Sequence, residues 1–221
     1  MSFETSNSDG QVGEQLYIDY LTNNNINFID VRQDKHCQLL DIDFIIPKGT
    51  YDKNDILKYV TKAYPDDRAK RQMEIGYTVE VKLDKVTHNR TIKNNGEISN
   101  GTGNLVYELI SHNMPGCMAR SYSDFVLYIC VDTFDEFARL KKAYMINLYK
   151  WRQTIIDSGK NNTQNLQLKP LKFIKENDEY VEENVLNILH PVEKLMKING
   201  VITDFTEKLL NFFPKNLVMS K

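Results

Sequence analysis

The chain has 221 residues, 41% hydrophobic and 26% charged, with a net charge of −2 and a pI near 6.1. That length can bury a real core in one domain. The charge balance excludes a globally basic nucleic-acid binder and leaves any such contact to a local patch. The polar start Met1-Ser2-Phe3-Glu4 does not resemble a signal peptide, and no apolar run approaches the roughly 20 residues of a membrane span. Three cysteines, Cys37, Cys117 and Cys130, lack CxxC spacing. Together these features predict an intracellular protein in a reducing compartment, with no membrane partner.

Residues 1–10 are polar and predicted to fray. Val12, Leu16, Tyr17, Tyr20 and Leu21 recur at helical spacing, which predicts an amphipathic helix over 11–21 that stops at Asn23-Asn24-Asn25. Glu14 lies near its start, where a carboxylate complements the helix dipole. An extended piece over 26–31 and a polar run over 32–38 lead to a predicted strand at 39–46, closed by Pro47. Residues two apart in a strand share a face, so Asp41 and Asp43 are expected to point the same way. Residues 52–72 read as a helical insertion whose Arg68, Lys70 and Arg71 form a basic cluster. That cluster is either a solvated helix face or a phosphate contact.

A second strand is predicted over 77–83, with Glu80 and Lys82 on one face. Such a pair is ordinarily an edge-strand salt bridge. Burying it beside a second carboxylate costs several kcal/mol unless the charges are paired or metal-bound. The polar stretch 87–102, with Asn94-Asn95-Gly96 and Asn100-Gly101, is either a hairpin tip or a mobile loop over a site. Strands follow at 104–110, carrying Glu108, and at 124–131. Residues 133–156 read as the best helix of the chain. Thr133 and Glu136 have capping-box spacing there, and Phe134, Phe137, Ala138, Met145, Leu148 and Trp151 supply an apolar side. That side is expected to be core or a homodimer interface. An extended piece at 168–174 precedes helices expected at 178–190 and 203–212, separated by Pro191 and Gly200. The expected organisation is a core over 1–158 and a mostly helical appendage over 159–221.

In this order the segments Gly13-Glu14, Gln38-Leu39-Leu40-Asp41-Ile42-Asp43 and Glu80-Val81-Lys82 with Asp84 form a pattern. It continues through Thr102-Gly103-Asn104-Leu105-Val106-Tyr107-Glu108 and Ser123-Asp124-Phe125. The pattern resembles the PD-(D/E)XK nuclease superfamily in its phage and bacterial forms, over residues 11 to 131. No single motif is specific; their order and strand context carry the likeness. The chain departs from it in the long Asp43–Glu80 interval and in a link between the third and fourth strands too short for a full crossover helix.

The resemblance implies a restriction-endonuclease-like α/β fold, a mixed four- to five-stranded sheet flanked by helices. It also implies a divalent-metal-dependent endonuclease acting on DNA. Asp43, Glu80 and the Val81 carbonyl would hold Mg²⁺ or Mn²⁺, hard cations that prefer oxygen ligands. Lys82 would stabilise negative charge and orient the attacking water. Glu14 would serve a second metal or its water shell. Asp41 rivals Asp43, and Gln38, Asp84 and Glu108 are further candidates, Asp84 doubling as a turn residue and Glu108 as an ordinary neighbour of a lysine. A catalytically silent protein of the same fold that blocks a host factor, and a cap-snatching-like RNA endonuclease, are the competing expectations.

Overall fold

Apolar residues alternating along neighbouring strands build a mixed sheet that organises the whole chain. The computed structural model describes residues 3–49, 76–111, 114–160, 167–170, 173–176, 179–182 and 186–219. The expected insertion at 52–72, with Arg68, Lys70 and Arg71, lies outside the described residues. In chain order the elements are α1 (Phe3–Asn23), β1 (Ile29–Asp30), α2 (Lys35–Leu39), β2 (Phe44–Pro47), β3 (Gly76–Asp84), β4 (Thr91–Ile92), β5 (Ile98–Ser99), β6 (Asn104–Ser111) and β7 (Met114–Pro115). There follow α3 (Cys117–Arg120), β8 (Phe125–Asp132), β9 (Arg139–Asn147), α4 (Leu148–Lys160), β10 (Gln167–Pro170), β11 (Phe173–Glu176), β12 (Glu179–Glu182), β13 (Leu186–Pro191), α5 (Val192–Leu195), β14 (Ile202–Asp204) and α6 (Thr206–Leu210).

The central sheet runs β1-β2-β3-β8-β9-β14. Its β3–β8 pair is parallel and its other neighbours are antiparallel. The fold is thus mixed α/β with helices flanking a mixed sheet, as expected, with six strands instead of four or five. Val79, Val81, Leu127 and Ile129 point to one face, against Leu16, Tyr17 and Leu21 of α1 and Leu209 of α6. Val126, Tyr128, Tyr144 and Ile146 point to the other, against Leu105 and Tyr107 of β6, Met118 of α3, Trp151 of α4 and Ile188 of β13. Complete burial of side chains this large contributes roughly 1.5–3 kcal/mol each. Asp124 fixes the parallel register: its carboxylate accepts the Thr78 N–H (2.9 Å) and hydroxyl (3.2 Å), and the Asp124 N–H donates to Thr78 Oγ1 (3.0 Å). It opens its strand, as its position suggests.

Several expectations are corrected. The helix expected at 133–156 is β9 followed by α4. Thr133 does not cap a helix; its N–H donates to Asn89 Oδ1 (2.9 Å). A bulge between Cys130 and Val131 shifts the β8–β9 register. The apolar residues that suggested a helix come from three separate segments: Phe134, Phe137 and Ala138 precede β9, Met145 lies on it, and Leu148 and Trp151 lie on α4, so their spacing only mimics one helix. Leu148 and Trp151, expected in the core or at a homodimer interface, are buried in the chain's own core. The helix expected at 178–190 falls on β12 and β13, and β13 alternates buried Ile188 and His190 with half-buried Asn187 and Leu189. The tail is therefore not a helical appendage. β13 pairs with β6, β14 extends the central sheet, and α6 is the short helix within 203–212. The strand expected at 39–46 is confined to Phe44–Pro47. Asp34 caps α2 by accepting the His36 and Cys37 N–H groups (3.0 Å each), and Asp41 takes a left-handed φ of 51° after it. The N-terminal ten residues were expected to fray, yet α1 starts at Phe3.

The indole N–H of fully buried Trp151 donates to Nδ1 of buried His190 (3.3 Å). Burial, aided by Lys194, pushes the His190 pKa down to about 4. An unfolded histidine titrates near 6.5, so the unfolded chain takes up a proton that the native state refuses between those values. Stability from this group is complete above pH ~6.5 and is lost as pH falls toward 4. The expected loss is on the order of 2–3 kcal/mol. Urea unfolding of His190→Gln, which keeps an acceptor for Trp151, should lack that loss.

Candidate functional site

A gap opens in the central sheet beside β3. β2 pairs with β3 over Gly76–Val79; past that point β8 still lines one edge, while β2 has ended on the other. Asp43 closes the corner. Its N–H donates to the Val79 carbonyl (3.0 Å), and its Oδ2 accepts the Val81 N–H (2.7 Å). Since the N–H and C=O of a strand residue leave by the same edge, the Val81 carbonyl faces this opening too. Burial pushes the Asp43 pKa up to about 7; the Val81 N–H opposes the rise, and Glu80 and Glu14 add to it.

Glu80 and Lys82 share a face, as the strand period requires, with Oε1 and Nζ 2.7 Å apart. The second oxygen of Glu80, Oε2, is buried and meets no donor at good hydrogen-bond geometry among the described residues, although the Ser121 side chain lies close enough to help hold the carboxylate's pKa down. Burial raises the pKa of Glu80, and Lys82 partly offsets the rise. Burial works against the Lys82 ammonium, but Glu80 outweighs it and holds the amine charged.

Glu14 arrives from the opposite layer. A Cβ at Gly13 would sit 3.4 Å from Val81 Cγ1 and from Leu83 Cβ, so glycine lets α1 lie close to β3. Glu14 Oε2 accepts from Arg32 Nη1 (2.6 Å). Arg32 in turn grips Asp30 through Nη2 (2.6 Å) and Nε (2.9 Å). One oxygen of Glu14 is therefore engaged by a protein cation at the edge of the cleft.

The remaining candidates divide. Asp41 lines the same cleft but reaches it from a left-handed residue, not from a strand face, and is bidentate with Arg120 (2.9 and 3.2 Å). Gln38 also lines the cleft, with Nε2 on the Arg32 carbonyl (2.7 Å). Asp84 is a turn residue. It accepts the N–H groups of Val86 (2.6 Å) and Thr87 (2.7 Å) and the Thr87 hydroxyl (2.8 Å). Glu108 sits on β6 in the second sheet, outside the cleft, facing the Cys117 N–H at 3.4 Å. The reading missed Arg32, which looked like part of a polar loop, and the Asp9–Lys85 pair (2.6 Å) at the far end of the cleft. The close spacing of Asp30 and Arg32 was the available signal for the first.

The cleft has a volume of about 900 Å³. Asp9, Glu14, Asp41, Asp43, Glu80 and Asp84 line it against Arg32, Lys82 and Lys85. A polyanion entering it meets net repulsion unless a cation is present. Among the described residues, no three His, Cys, Asp or Glu side chains converge to cage an ion by themselves. The donor chemistry nonetheless fits Mg²⁺ or Mn²⁺. One or two carboxylates suffice for ions that keep much of their water, and Asp43 and the unsatisfied Glu80 Oε2 are hard oxygens in need of a positive partner. No helix among the described residues is long and apolar enough to cross a membrane. No protein-family model matches the chain, and no curated protein or solved structure matches it.

Asp43 gives a test independent of turnover. An unfolded aspartate loses its proton near pH 3.9, the native Asp43 near 7. The native state binds more protons in between, so stability falls as pH rises through that window and then levels off. Asp43→Asn should remove this fall, giving a higher melting temperature than the parent at pH 8. Mn²⁺ should raise the melting temperature of the parent at pH 8 and leave that of Asp43→Asn unchanged.

Proposed function

We propose that the protein is a divalent-metal-dependent endonuclease that hydrolyses phosphodiester bonds in DNA, on a restriction-endonuclease-like fold. One observation carries this reading: the ion pair of buried Glu80 with Lys82 on β3, and Asp43 just ahead of β2, line one corner of a cleft, with Asp43 held on the intervening Val81 N–H. Asp43, Glu80 and the Val81 carbonyl would hold Mg²⁺ or Mn²⁺. When bound, such an ion supplies neutralisation of the phosphate and acidification of a water.

The protein's own groups do the rest. Lys82 is kept charged by Glu80 and is about one-third exposed (35% of its side chain), so its remaining N–H donors can reach a phosphate oxygen or the attacking water. Arg32, fixed on Asp30, holds Glu14 at the mouth of the corner. Asp84 fixes the turn that follows β3 by accepting from Val86 and Thr87, and Leu83 to Val86 continue the cleft wall beyond Lys82. A second reading rests on the net negative lining, which also suits a basic protein partner. In that case the protein is a catalytically silent blocker that neither cleaves DNA nor gains stability from Mn²⁺.

Glu80→Gln separates these readings. Glutamine still accepts from Lys82, so the fold should persist, while cleavage of plasmid DNA with Mg²⁺ or Mn²⁺ should drop by roughly a hundredfold or more. Lys82→Met should lose cleavage and also stability, by about 3 kcal/mol, because it strands the Glu80 carboxylate without its counter-charge. Undiminished cleavage by Glu80→Gln would defeat the nuclease assignment.

A further inference from the structure

The β4–β5 hairpin stands apart from both large sheets. Its strands pair Thr91 with Ser99 and Ile92 with Ile98. The turn is closed by the Lys93 N–H on the Glu97 carbonyl (2.8 Å), with Gly96 at φ +83°, the left-handed position of a three-residue hairpin loop. A two-stranded hairpin is marginal by itself, but this one is clamped at its root. The Asn89 amide donates to the Lys85 carbonyl (2.8 Å) and to Thr133 Oγ1 (3.2 Å), and Arg90 pairs with Asp132 and Asp135. A stiff ribbon therefore projects from the core, presenting Ile92 (66% exposed) and Ile98 (54% exposed) side by side.

Its root is also the rim of the cleft, since Lys85, Val86 and Asn89 line the cleft and lead into β4. A cleft of about 900 Å³ has the size of a small-molecule site. A nucleic-acid duplex cannot enter it whole, and Lys85, Val86 and Asn89 form one of the edges past which it would extend. Charge opposes that path less than the cleft does: Lys85 is paired with Asp9, Arg90 with Asp132 and Asp135, and Lys93 with Glu97, so the hairpin and its root are locally balanced, whereas the cleft is net negative. The major groove of B-DNA, about 12 Å wide, admits a two-stranded ribbon, and thymine methyls offer apolar contacts there. The A-form RNA major groove is too narrow for side chains to read.

We infer that the β4–β5 hairpin enters the major groove of double-stranded DNA while one strand occupies the cleft, an inference that rests on the nuclease reading. The test uses the full chain carrying Glu80→Gln, with Mg²⁺, and fluorescent probes: a short DNA duplex and an RNA duplex of the same sequence. The DNA duplex should bind at least about tenfold more tightly than the RNA duplex. Adding Ile92→Ser and Ile98→Ser should weaken DNA-duplex binding by about tenfold with no change in melting temperature, since both residues are exposed. Ile156→Ser, an equally exposed change on α4, should leave binding intact. Unchanged affinity in the Ile92/Ile98 variant, or equal binding of DNA and RNA duplexes, overturns the hairpin's role and spares the cleft. Failure of the Glu80→Gln protein to bind either duplex overturns both.

Discussion

The hydrogen bond from the Val81 N–H to Asp43 Oδ2 is the constraint on which the rest of the site depends. It takes the place of a ladder bond that β2 would have made had it continued. A strand that stops early leaves backbone groups of its neighbour in need of partners. Here a carboxylate fills the vacancy, and doing so brings an acid to the edge of β3. The same interruption exposes the Val81 carbonyl and lets the Glu80 and Lys82 side chains on one face, and Glu14 from the other, open onto common space.

That arrangement places several carboxylates where water is scarce. Each is met by a different compromise: Glu80 by Lys82, Glu14 and Asp30 by a shared arginine, Asp41 by Arg120, and Asp43 by retaining a proton to about pH 7. Removing one partner from such a set costs more than the pair contributes, because a charge is left behind. Under the function proposed above, an external cation would take over part of that internal neutralisation.

Local periodicity revealed much of this. The β3 alternation put Glu80 and Lys82 together, the helical spacing of α1 put Glu14 near its start, and the apolar run at 124–131 marked β8. Legibility failed where tertiary structure overrode local pattern. Apolar residues from the segment ahead of β9, from β9 and from α4 added up to apparent helical spacing, and a mostly exposed α2, buried only at Cys37, read as loop. Asp41 and Asp43 reach the cleft together, although a left-handed turn at Asp41, not a pleat, puts them there. The Asp30–Arg32 spacing hinted at Arg32, but its grip on Glu14, 18 residues away, lies beyond any short window.

The Asp124–Thr78 lock bears on how the molecule is assembled. Its two ends are separated by 46 residues, so the parallel pair forms only after a long loop closes. During synthesis Asp43, just ahead of β2, and Glu80 on β3 emerge well before the strand that sets the register. A nascent or truncated chain ending ahead of β8 thus lacks an organised cleft, and competence should arrive late and abruptly rather than accumulate as the chain lengthens.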